Sequence, residues 1–382
     1  MQSAVTCAGC GVLAHAALGA GLVAWPRRAG AQDQAGDLVG DLETTFLPVE
    51  ARYYKVVGGK RVECELCPNK CRVADLERGT CGVRENRGGT YYTLVHARAV
   101  AAHVDPVEKK PLFHFLPGTT AFSIATAGCN MECKFCQNWE ISQFRPEQVR
   151  ATLLKPAMVH ELAKNNGAAS IAYTYSEPTI YYEYMFDTAS LGRKTGMRSV
   201  MISAGFIEAQ PLQDLLPHLS AVKIDLKAFR QEFYDKMSKG QLKVVRRTLE
   251  LIRKAGTWLE IVVLVIPTLN DAEAEIRDLS RFVKQSLGAD VPIHFTRFHP
   301  TYRLKNLPPT PPATLDRAVQ VARAEGLRYV YVGNLSGHEA ESTYCPDCGE
   351  LLVKRVGLSV TDVRLEHGKC PKCKRAIPGV WA

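Results

Sequence analysis

The sequence predicts an α/β fold, and three observations support that prediction. The chain has 382 residues, enough for one large core and one or two small modules. Hydrophobic residues make up 46% and charged residues 23%, values typical of a globular protein, which exclude a disordered or multi-span membrane chain. From residue 122 onward, apolar runs rich in Ile, Val and Tyr alternate with segments of helical period. This alternation predicts parallel strands in a complete or partial barrel, or in an open doubly wound sheet.

The candidate elements follow one another in order along the chain. Two strands are expected within residues 91–104, ahead of the main body. Further strands are expected at 122–126, 170–175, 199–203, 221–226, 259–266, 293–298 and 329–332, and helices at 158–164, 212–219, 244–254, 273–287 and 315–324. Ligands bind at the carboxyl ends of the strands in either architecture, so candidate site residues are sought there.

The charge distribution gives no sign of a nucleic acid partner. Lys and Arg number 48 against 39 Asp and Glu, a formal net charge of +9. This excess is spread thinly and forms no basic tail or run. Nucleic acid binding is therefore not expected.

The first 50 residues form an apolar segment followed by a linker. Residues 4–25 carry no formal charge, and Ala29-Gly30-Ala31 resembles a signal-peptide cleavage pattern. However, the positive charges of Arg27 and Arg28 follow the apolar run instead of preceding it. An uncleaved anchor of this polarity would leave the rest of the chain in the cytoplasm. The prediction is a cytoplasmic protein, with N-terminal membrane anchoring or export as the alternative.

The cysteines are grouped, and the central group has the spacing of a cofactor site. The chain contains 13 cysteines, and Cys129, Cys133 and Cys136 follow the strand expected at 122–126. Three thiolates on one loop can hold three irons of a [4Fe-4S] cluster and leave the fourth iron open. The alternatives are zinc with a distant fourth ligand, or a disulfide with a spare thiol.

Two further groups flank the central one, and each offers four thiolates. Cys345, Cys348, Cys370 and Cys373 form two CxxC knuckles, which predict a closed structural zinc ribbon, with a rubredoxin-like iron site as the rival. Cys64, Cys67, Cys71 and Cys81 fit structural zinc or an auxiliary [4Fe-4S] cluster, with zinc the preferred expectation. Cys7 and Cys10 form a lone CxxC with no partner pair.

The central motif, with Phe135 before its last cysteine, resembles the radical S-adenosylmethionine (radical SAM) superfamily. The resemblance runs from about Ala51 to the C-terminus and is strongest to the branch of the pyruvate formate-lyase activating enzymes, and within it to the radical SAM member of the AmmeMemoRadiSam system. It rests on CELCPNKC from Cys64, CGVRENRGG from Cys81, HVDPVEKKPLFHFLPG from His103, CQNWEISQ from Cys136, YSEP from Tyr175, DLK from Asp225 and HFTRFHP from His294.

This resemblance implies a partial (β/α)6-type TIM barrel of the radical SAM type, with an N-terminal Cys-rich module and a C-terminal zinc ribbon. The expected boundaries are 1–50 for the apolar segment and linker, 51–118 for the N-terminal four-cysteine module, 119–340 for the barrel and 341–382 for the ribbon.

The resemblance also assigns residues to the cofactor. Glu177 would accept a hydrogen bond from the methionyl amine of SAM, although Tyr175 and Ser176 replace the two glycines of the related Gly-Gly-Glu-type motif. Ser203 would contact SAM, Asp225 and Lys227 would lie by its carboxylate, and His299 would lie on the adenosine or substrate side.

The function implied is that of a radical SAM oxidoreductase using a [4Fe-4S] cluster, SAM and zinc. Reductive cleavage of SAM would give a 5'-deoxyadenosyl radical that abstracts hydrogen from a protein or small-molecule substrate, as in a glycyl-radical activase. The expected partners are a one-electron reductant of the flavodoxin or ferredoxin type and the other AmmeMemoRadiSam proteins. The alternative is a non-catalytic iron-sulfur and zinc module for electron transfer or binding.

Overall fold

The computed structural model describes residues 47–381, and the expectations for residues 1–46, including Cys7 and Cys10, lie outside this range. Its strands are β1 (Val49–Glu50), β2 (Tyr54–Gly58), β3 (Arg61–Cys64), β4 (Arg72–Val73), β5 (Arg84–Arg87), β6 (Thr90–Thr93), β7 (Arg98–Ala99), β8 (Ala101–Pro106), β9 (Thr120–Ala125), β10 (Thr152–Leu153), β11 (Ser170–Tyr173), β12 (Arg198–Ser203), β13 (Ala221–Asp225), β14 (Trp258–Val265), β15 (Ile293–Arg297), β16 (Val330–Gly333), β17 (Thr343–Tyr344), β18 (Leu351–Val356) and β19 (Ser359–Val363). The α-helices are α1 (Trp139–Ser142), α2 (Pro156–Asn165), α3 (Tyr182–Thr195), α4 (Ala209–Leu215), α5 (Gln231–Phe233), α6 (Leu242–Ala255), α7 (Glu273–Phe282) and α8 (Pro312–Ala324).

An eight-stranded sheet forms the centre of the fold, in the order β16-β15-β14-β13-β12-β11-β9-β8. Seven of these strands are parallel, and β8 pairs antiparallel with β9 at one edge. All four residues of β11 are buried, as expected for a parallel strand covered on both faces. The seven strands predicted between residues 122 and 332 are thus confirmed, and the α/β fold with a parallel sheet is established.

The helices lie between successive strands because each presents one apolar face to the sheet. Helix α6 buries Val244, Val245, Leu249 and Ile252, which recur at helical spacing. It ends where Gly256 adopts a left-handed φ of 76°, a conformation that glycine reaches without steric cost. All five predicted helices are present, and those at 212–219 and 273–287 continue into a 3₁₀ turn and a π-helical turn.

Small antiparallel sheets precede and follow the main sheet in the sequence. The N-terminal segment forms two three-stranded sheets, β2-β3-β4 and β1-β6-β5, and carries Cys64, Cys67, Cys71 and Cys81 in and between their strands. At the other end of the chain, β17-β18-β19 form a third such sheet; β17 directly precedes the first C-terminal cysteine pair, and β18 and β19 lie between the two pairs.

The C-terminal segment packs against the residues that join β8 to β9. Arg355 of β18 is buried and donates hydrogen bonds to Thr343 Oγ1 at 2.9 Å and to the Phe113 carbonyl at 2.7 Å. Val380 exchanges main-chain hydrogen bonds with His114 and Leu116, each 2.7 Å long. Between residues 47 and 381, no helix is both long and apolar enough to cross a membrane.

Candidate radical SAM site

The loop that carries the central cysteines leaves the carboxyl end of β9 and is held by main-chain hydrogen bonds. Glu132 and Lys134 donate their backbone N–H groups to the carbonyls of Ser238 and Met237, both at 2.9 Å. Asn130 anchors the loop from the other side, because its amide donates to the Phe206 carbonyl at 2.8 Å. These contacts fix the loop above the edge of the sheet where strand ends converge.

Among the three central thiols, Cys133 is buried and Cys129 and Cys136 are half-buried, and their surroundings favour the neutral form. Burial raises the pKa of Cys133 to about 12, although the ammonium of Lys227 acts in the opposite direction. Burial raises the pKa of Cys129 well above its usual value, and the carboxylate of Glu177 adds to this effect. Ser142 Oγ lies 3.1 Å from Cys136 Sγ. Iron binding at these thiols would therefore release protons, because iron takes the thiolate form.

Glu177 and Ser203 are brought together next to the cysteine loop. The Glu177 side chain is 2% exposed and accepts hydrogen bonds from Ser203 Oγ at 2.6 Å and the Ala204 N–H at 2.8 Å. Thr179 adds hydrogen bonds to the same carboxylate from its N–H at 3.1 Å and its hydroxyl at 2.8 Å. Four hydrogen-bond donors orient this carboxyl group at the ends of β11 and β12.

Asp225 and Lys227 lie at the end of the next strand, where they form a charged cluster with Lys223. The Asp225 carboxylate is paired with Lys223 and lies 3.5 Å from Lys227 Nζ. Burial by itself would lower the pKa of Lys227, but Asp225 and the Cys133 thiolate raise it, so Lys227 stays protonated. Its ammonium lies 5.9 Å from the centre of the Phe135 ring. A fixed positive charge therefore lies beside the thiols.

His299 occupies a different environment from the other predicted residues. It follows β15 at the same edge of the sheet, but its side chain is exposed, whereas Glu177 and Ser203 are buried. Its assignment to the adenosine or substrate side stays a prediction.

Sequence reasoning missed a buried polar group that lies under Tyr175. The Tyr175 hydroxyl donates to Asp105, whose carboxylate also accepts from Lys109 and Lys110. Burial lowers the pKa of Lys110 to about 8. Asn138 of the cysteine loop donates to the Tyr175 carbonyl at 2.7 Å. Tyr175 therefore links the cysteine loop to Asp105.

Tyr175 has a backbone conformation that favours glycine, and it stands where the Gly-Gly-Glu-type motif has a glycine. Its φ is 63°, in the left-handed region that favours glycine. The glycine expected from the Gly-Gly-Glu-type motif is replaced here by a tyrosine that tolerates the strain. The hydrogen bond from its hydroxyl to Asp105 and the one that its carbonyl accepts from Asn138 hold Tyr175 in this conformation.

Lys223 was also missed, although the strand period gives a signal for it. It precedes Asp225 by two residues in β13, so both side chains point to the same face of the strand. Because Lys223 lies two residues before Asp225 in an otherwise apolar strand, the sequence indicates that the two side chains form an ion pair.

The C-terminal cysteines form a group with the geometry of a site for one ion. The Sγ atoms of Cys345 and Cys373 lie 3.4 Å apart, those of Cys348 and Cys370 lie 3.6 Å apart, and all four lie within 4.8 Å of one another. A metal bound to sulfur at about 2.3 Å in tetrahedral geometry places its ligands about 3.8 Å apart. The four residues therefore fit a metal, and the donor set suits zinc or iron.

The fold and the three-thiol loop define a radical SAM domain, and comparison with known proteins agrees. The model of the Radical SAM superfamily matches residues 123–280. An uncharacterized protein from Methanocaldococcus jannaschii is 42% identical over 330 residues, covering 86% of this chain and 98% of that protein. The chain therefore belongs to the radical SAM superfamily.

More distant similarities are found to two named enzymes. The pyruvate formate-lyase-activating enzyme of Clostridium pasteurianum is 21% identical over 160 residues, which cover 41% of this chain and 66% of that enzyme. The crystal structure of a radical SAM methyltransferase from Sphaerobacter thermophilus is 17% identical, with a TM-score of 0.46 over 62% of this chain and 71% of that one.

Proposed function

We propose that this protein is a radical SAM oxidoreductase whose cluster is held by Cys129, Cys133 and Cys136. The observation that carries the proposal is the position of these thiols on one loop, beside the buried carboxylate of Glu177 at the ends of parallel strands. A [4Fe-4S] cluster there would supply one electron to cleave SAM into methionine and a 5'-deoxyadenosyl radical, which takes a hydrogen atom from the substrate.

The chain's own residues would bind and orient SAM. Glu177 is held in place by the hydrogen bond from Ser203, and its carboxylate oxygens can accept a hydrogen bond from the methionyl amine. Lys227 offers a cation for the SAM carboxylate, and Asp225 keeps that cation charged and in place. His299 would contribute from the exposed rim on the adenosine or substrate side.

The finer assignments are proposals of the same kind. The sheet is proposed to curve into a partial barrel within 119–340, preceded by the four-cysteine module of 51–118 and followed by the zinc ribbon of 341–382. A flavodoxin or ferredoxin type of protein would supply the electron, and the other AmmeMemoRadiSam proteins would be partners. The 11 cysteines between residues 47 and 381 are unpaired thiols, which suits a reducing compartment such as the cytoplasm.

The similarities suggest two classes of substrate, a protein and a small metabolite. Likeness to a pyruvate formate-lyase-activating enzyme supports a protein substrate. A small metabolite is the other class, and comparison of SAM cleavage with and without candidate substrates separates the two.

The test is to reconstitute the full chain without oxygen, add SAM and dithionite, and measure 5'-deoxyadenosine. We expect product from the wild type and none from Cys133→Ala, while the C-terminal site keeps its metal. Lys134→Ala is the matched control, because this exposed neighbour holds the loop through its backbone alone. Product at the wild-type rate from Cys133→Ala would contradict the assignment, and failure of a cluster-loaded wild type to bind SAM would favour a non-catalytic electron-transfer module.

A further inference from the structure

The N-terminal cysteines have no part in the proposed reaction, yet they are gathered in the fold. Cys64 and Cys67 are buried, and Cys71 and Cys81 are half-buried. Burial and the neighbouring thiolates of Cys64 and Cys81 raise the pKa of Cys67 to about 12. Cys64 also donates its N–H to the Cys71 carbonyl at 2.9 Å. These four residues, called here the N-terminal thiol set, therefore lie near one another.

The N-terminal thiol set is wider than the C-terminal one. Among residues 47–381, only the C-terminal cysteines bring three or more ligand atoms all within 4.8 Å of one another. One zinc ion requires such closeness, because its sulfur ligands lie about 3.8 Å apart. In an iron-sulfur cluster the thiolates bind different irons, so they stand farther apart. The Sγ atoms of Cys129, Cys133 and Cys136 likewise do not all lie within 4.8 Å of one another.

A second observation points to a group bound among these thiols. The hydroxyl of Tyr91 is fully buried and has no hydrogen-bond partner. A Cβ built on Gly79 would lie 2.8 Å from this hydroxyl and 3.5 Å from Cys71 Sγ, which places the hydroxyl beside the thiol set. A buried donor without an acceptor is costly, and a cluster sulfur would supply the acceptor.

Two donors at the site contact cysteine sulfur. The Arg84 guanidinium is 1% exposed; its Nη2 is paired with the buried carboxylate of Glu183, and its Nη1 lies 3.7 Å from Cys64 Sγ. The Thr80 N–H donates to Cys71 Sγ at 3.4 Å. Both groups donate to a cysteine sulfur, and hydrogen bonds to sulfur are a means by which proteins set cluster potentials.

We infer that Cys64, Cys67, Cys71 and Cys81 hold a second iron-sulfur cluster in place of the zinc that the sequence led us to prefer. All four thiolates serve as ligands, so this cluster has no open iron for SAM. The wide thiol spacing and the partnerless Tyr91 hydroxyl carry the inference.

The second cluster would lie against the loop of the first. A Cβ on Gly128, which precedes Cys129, would come within 2.8 Å of the Cys81 carbonyl. Asn69, which lies between Cys67 and Cys71, donates to the Asn130 carbonyl at 3.0 Å. This step rests on the proposed function: a cluster held by the N-terminal thiol set would serve as a relay for one electron from the protein reductant to a cluster at Cys129, Cys133 and Cys136, with no proton or bond change.

The decisive test removes the first cluster and counts metal. We expect the triple variant Cys129→Ala, Cys133→Ala, Cys136→Ala, reconstituted without oxygen, to contain iron and inorganic sulfide in equal amounts. Adding Cys67→Ser should remove that iron, whereas adding Cys348→Ser should remove only the C-terminal metal. A triple variant with no iron and a second zinc ion per chain would overturn the inference. Because SAM cleavage by the wild type is measured separately, failure of the proposed function leaves this count unaffected.

Two spectroscopic readouts keep the inference testable if the triple variant does not fold. Reduced wild type should show two paramagnetic signals, of which SAM perturbs only one; a single signal that SAM shifts completely would contradict a second cluster. Tyr91→Phe should move the potential of the SAM-insensitive signal to a more negative value, because its hydroxyl no longer stabilises the reduced cluster. Tyr92→Phe, on the opposite face of β6, is the control and should leave that potential unchanged.

Discussion

Glu177 is a buried carboxylate whose two oxygens differ in the number of hydrogen bonds they accept. Its Oε1 accepts from Ser203 Oγ, the Thr179 N–H and the Thr179 hydroxyl, whereas Oε2 accepts only from the Ala204 N–H. A carboxylate oxygen has two lone pairs, so Oε2 retains acceptor capacity. That capacity suits an amine in the pocket.

Replacing Glu177 with Gln tests this role. The amide keeps the shape but loses the charge and one acceptor, so a charge-assisted hydrogen bond to the SAM amine is lost. Such bonds contribute about 1.5–3 kcal/mol, and we expect the Kd for SAM to rise about 10- to 100-fold. Equilibrium binding of SAM to reconstituted protein measures this change, with iron content determined on the same sample.

Glu260→Gln is the matched control for a general loss of stability. Glu260 is also buried and accepts from the N–H groups of Phe113 and His114 at 2.9 and 2.7 Å and from His294 at 2.7 Å, but it lies near the amino end of β14. Both variants should lower the melting temperature, and only Glu177→Gln should weaken SAM binding. Equal weakening by the two variants would show that Glu177 acts through folding alone.

At the scale of the element, the cysteine loop depends on close packing against the N-terminal module. Gly128 has a φ of 95°, and a Cβ there would lie 2.5 Å from Val83 Cγ1 and 2.8 Å from the Cys81 carbonyl. Its N–H donates to the Ile141 carbonyl at 2.9 Å. Only a residue without a side chain permits this approach, so the first turn of the loop requires glycine.

Gly128→Ala should therefore destabilise the protein and reduce iron loading at the loop. Gly256→Ala is the control, because Gly256 has a φ of 76° but its Cβ would meet nothing within 4 Å. Both changes introduce left-handed strain of about 1–2 kcal/mol, and overpacking adds about 1–3 kcal/mol only at Gly128. Denaturant unfolding of the two variants measures the difference between their free energies of unfolding. Equal losses of stability would show that the N-terminal module rearranges around the new side chain at no energetic cost.

The elements that sequence predicted well are those in which local pattern and tertiary burial agree. Strands such as β14 are continuous apolar runs, and α6 has a clear apolar face, so the secondary structure of each can be predicted from its sequence. Helix α3 was missed because its first turns carry Tyr182, Tyr184 and Phe186, residues that favour strands. Burial of its tyrosines against the rest of the fold outweighs that local preference.

The candidate site was predictable to the extent that its groups are adjacent in sequence or follow strand ends. Glu177 and Ser203 come from neighbouring strands, so their proximity follows from parallel pairing. The contact of Tyr175 with Asp105 could not be predicted in this way, because Asp105 lies on the antiparallel edge strand β8 and meets Tyr175 across 70 residues.

For the whole molecule, the C-terminal segment is connected to the main sheet through buried polar groups. The side chains of Arg355 and Glu108 are both 0% exposed, with 3.6 Å between Nε and Oε1, and the guanidinium lies 4.1 Å from the centre of the Phe113 ring. Burial raises the pKa of Glu108, and Arg355 opposes that rise. Arg355 lies in β18, between the two C-terminal cysteine pairs, so the four-cysteine group and this buried ion pair belong to the same small segment.

Loss of the C-terminal metal should consequently weaken the entire chain. Cys348→Ser removes one ligand, so we expect the metal to be lost, the segment to loosen and Arg355 to leave Glu108 as an uncompensated buried charge, at a cost of about 3–5 kcal/mol. The iron-sulfur absorbance should persist in the folded variant and disappear at a lower temperature, together with tryptophan fluorescence. Lys372→Ser, an exposed change in the other knuckle, should leave the midpoint and metal content unaltered. An unchanged midpoint in Cys348→Ser would mean that the segment folds independently of the sheet it covers.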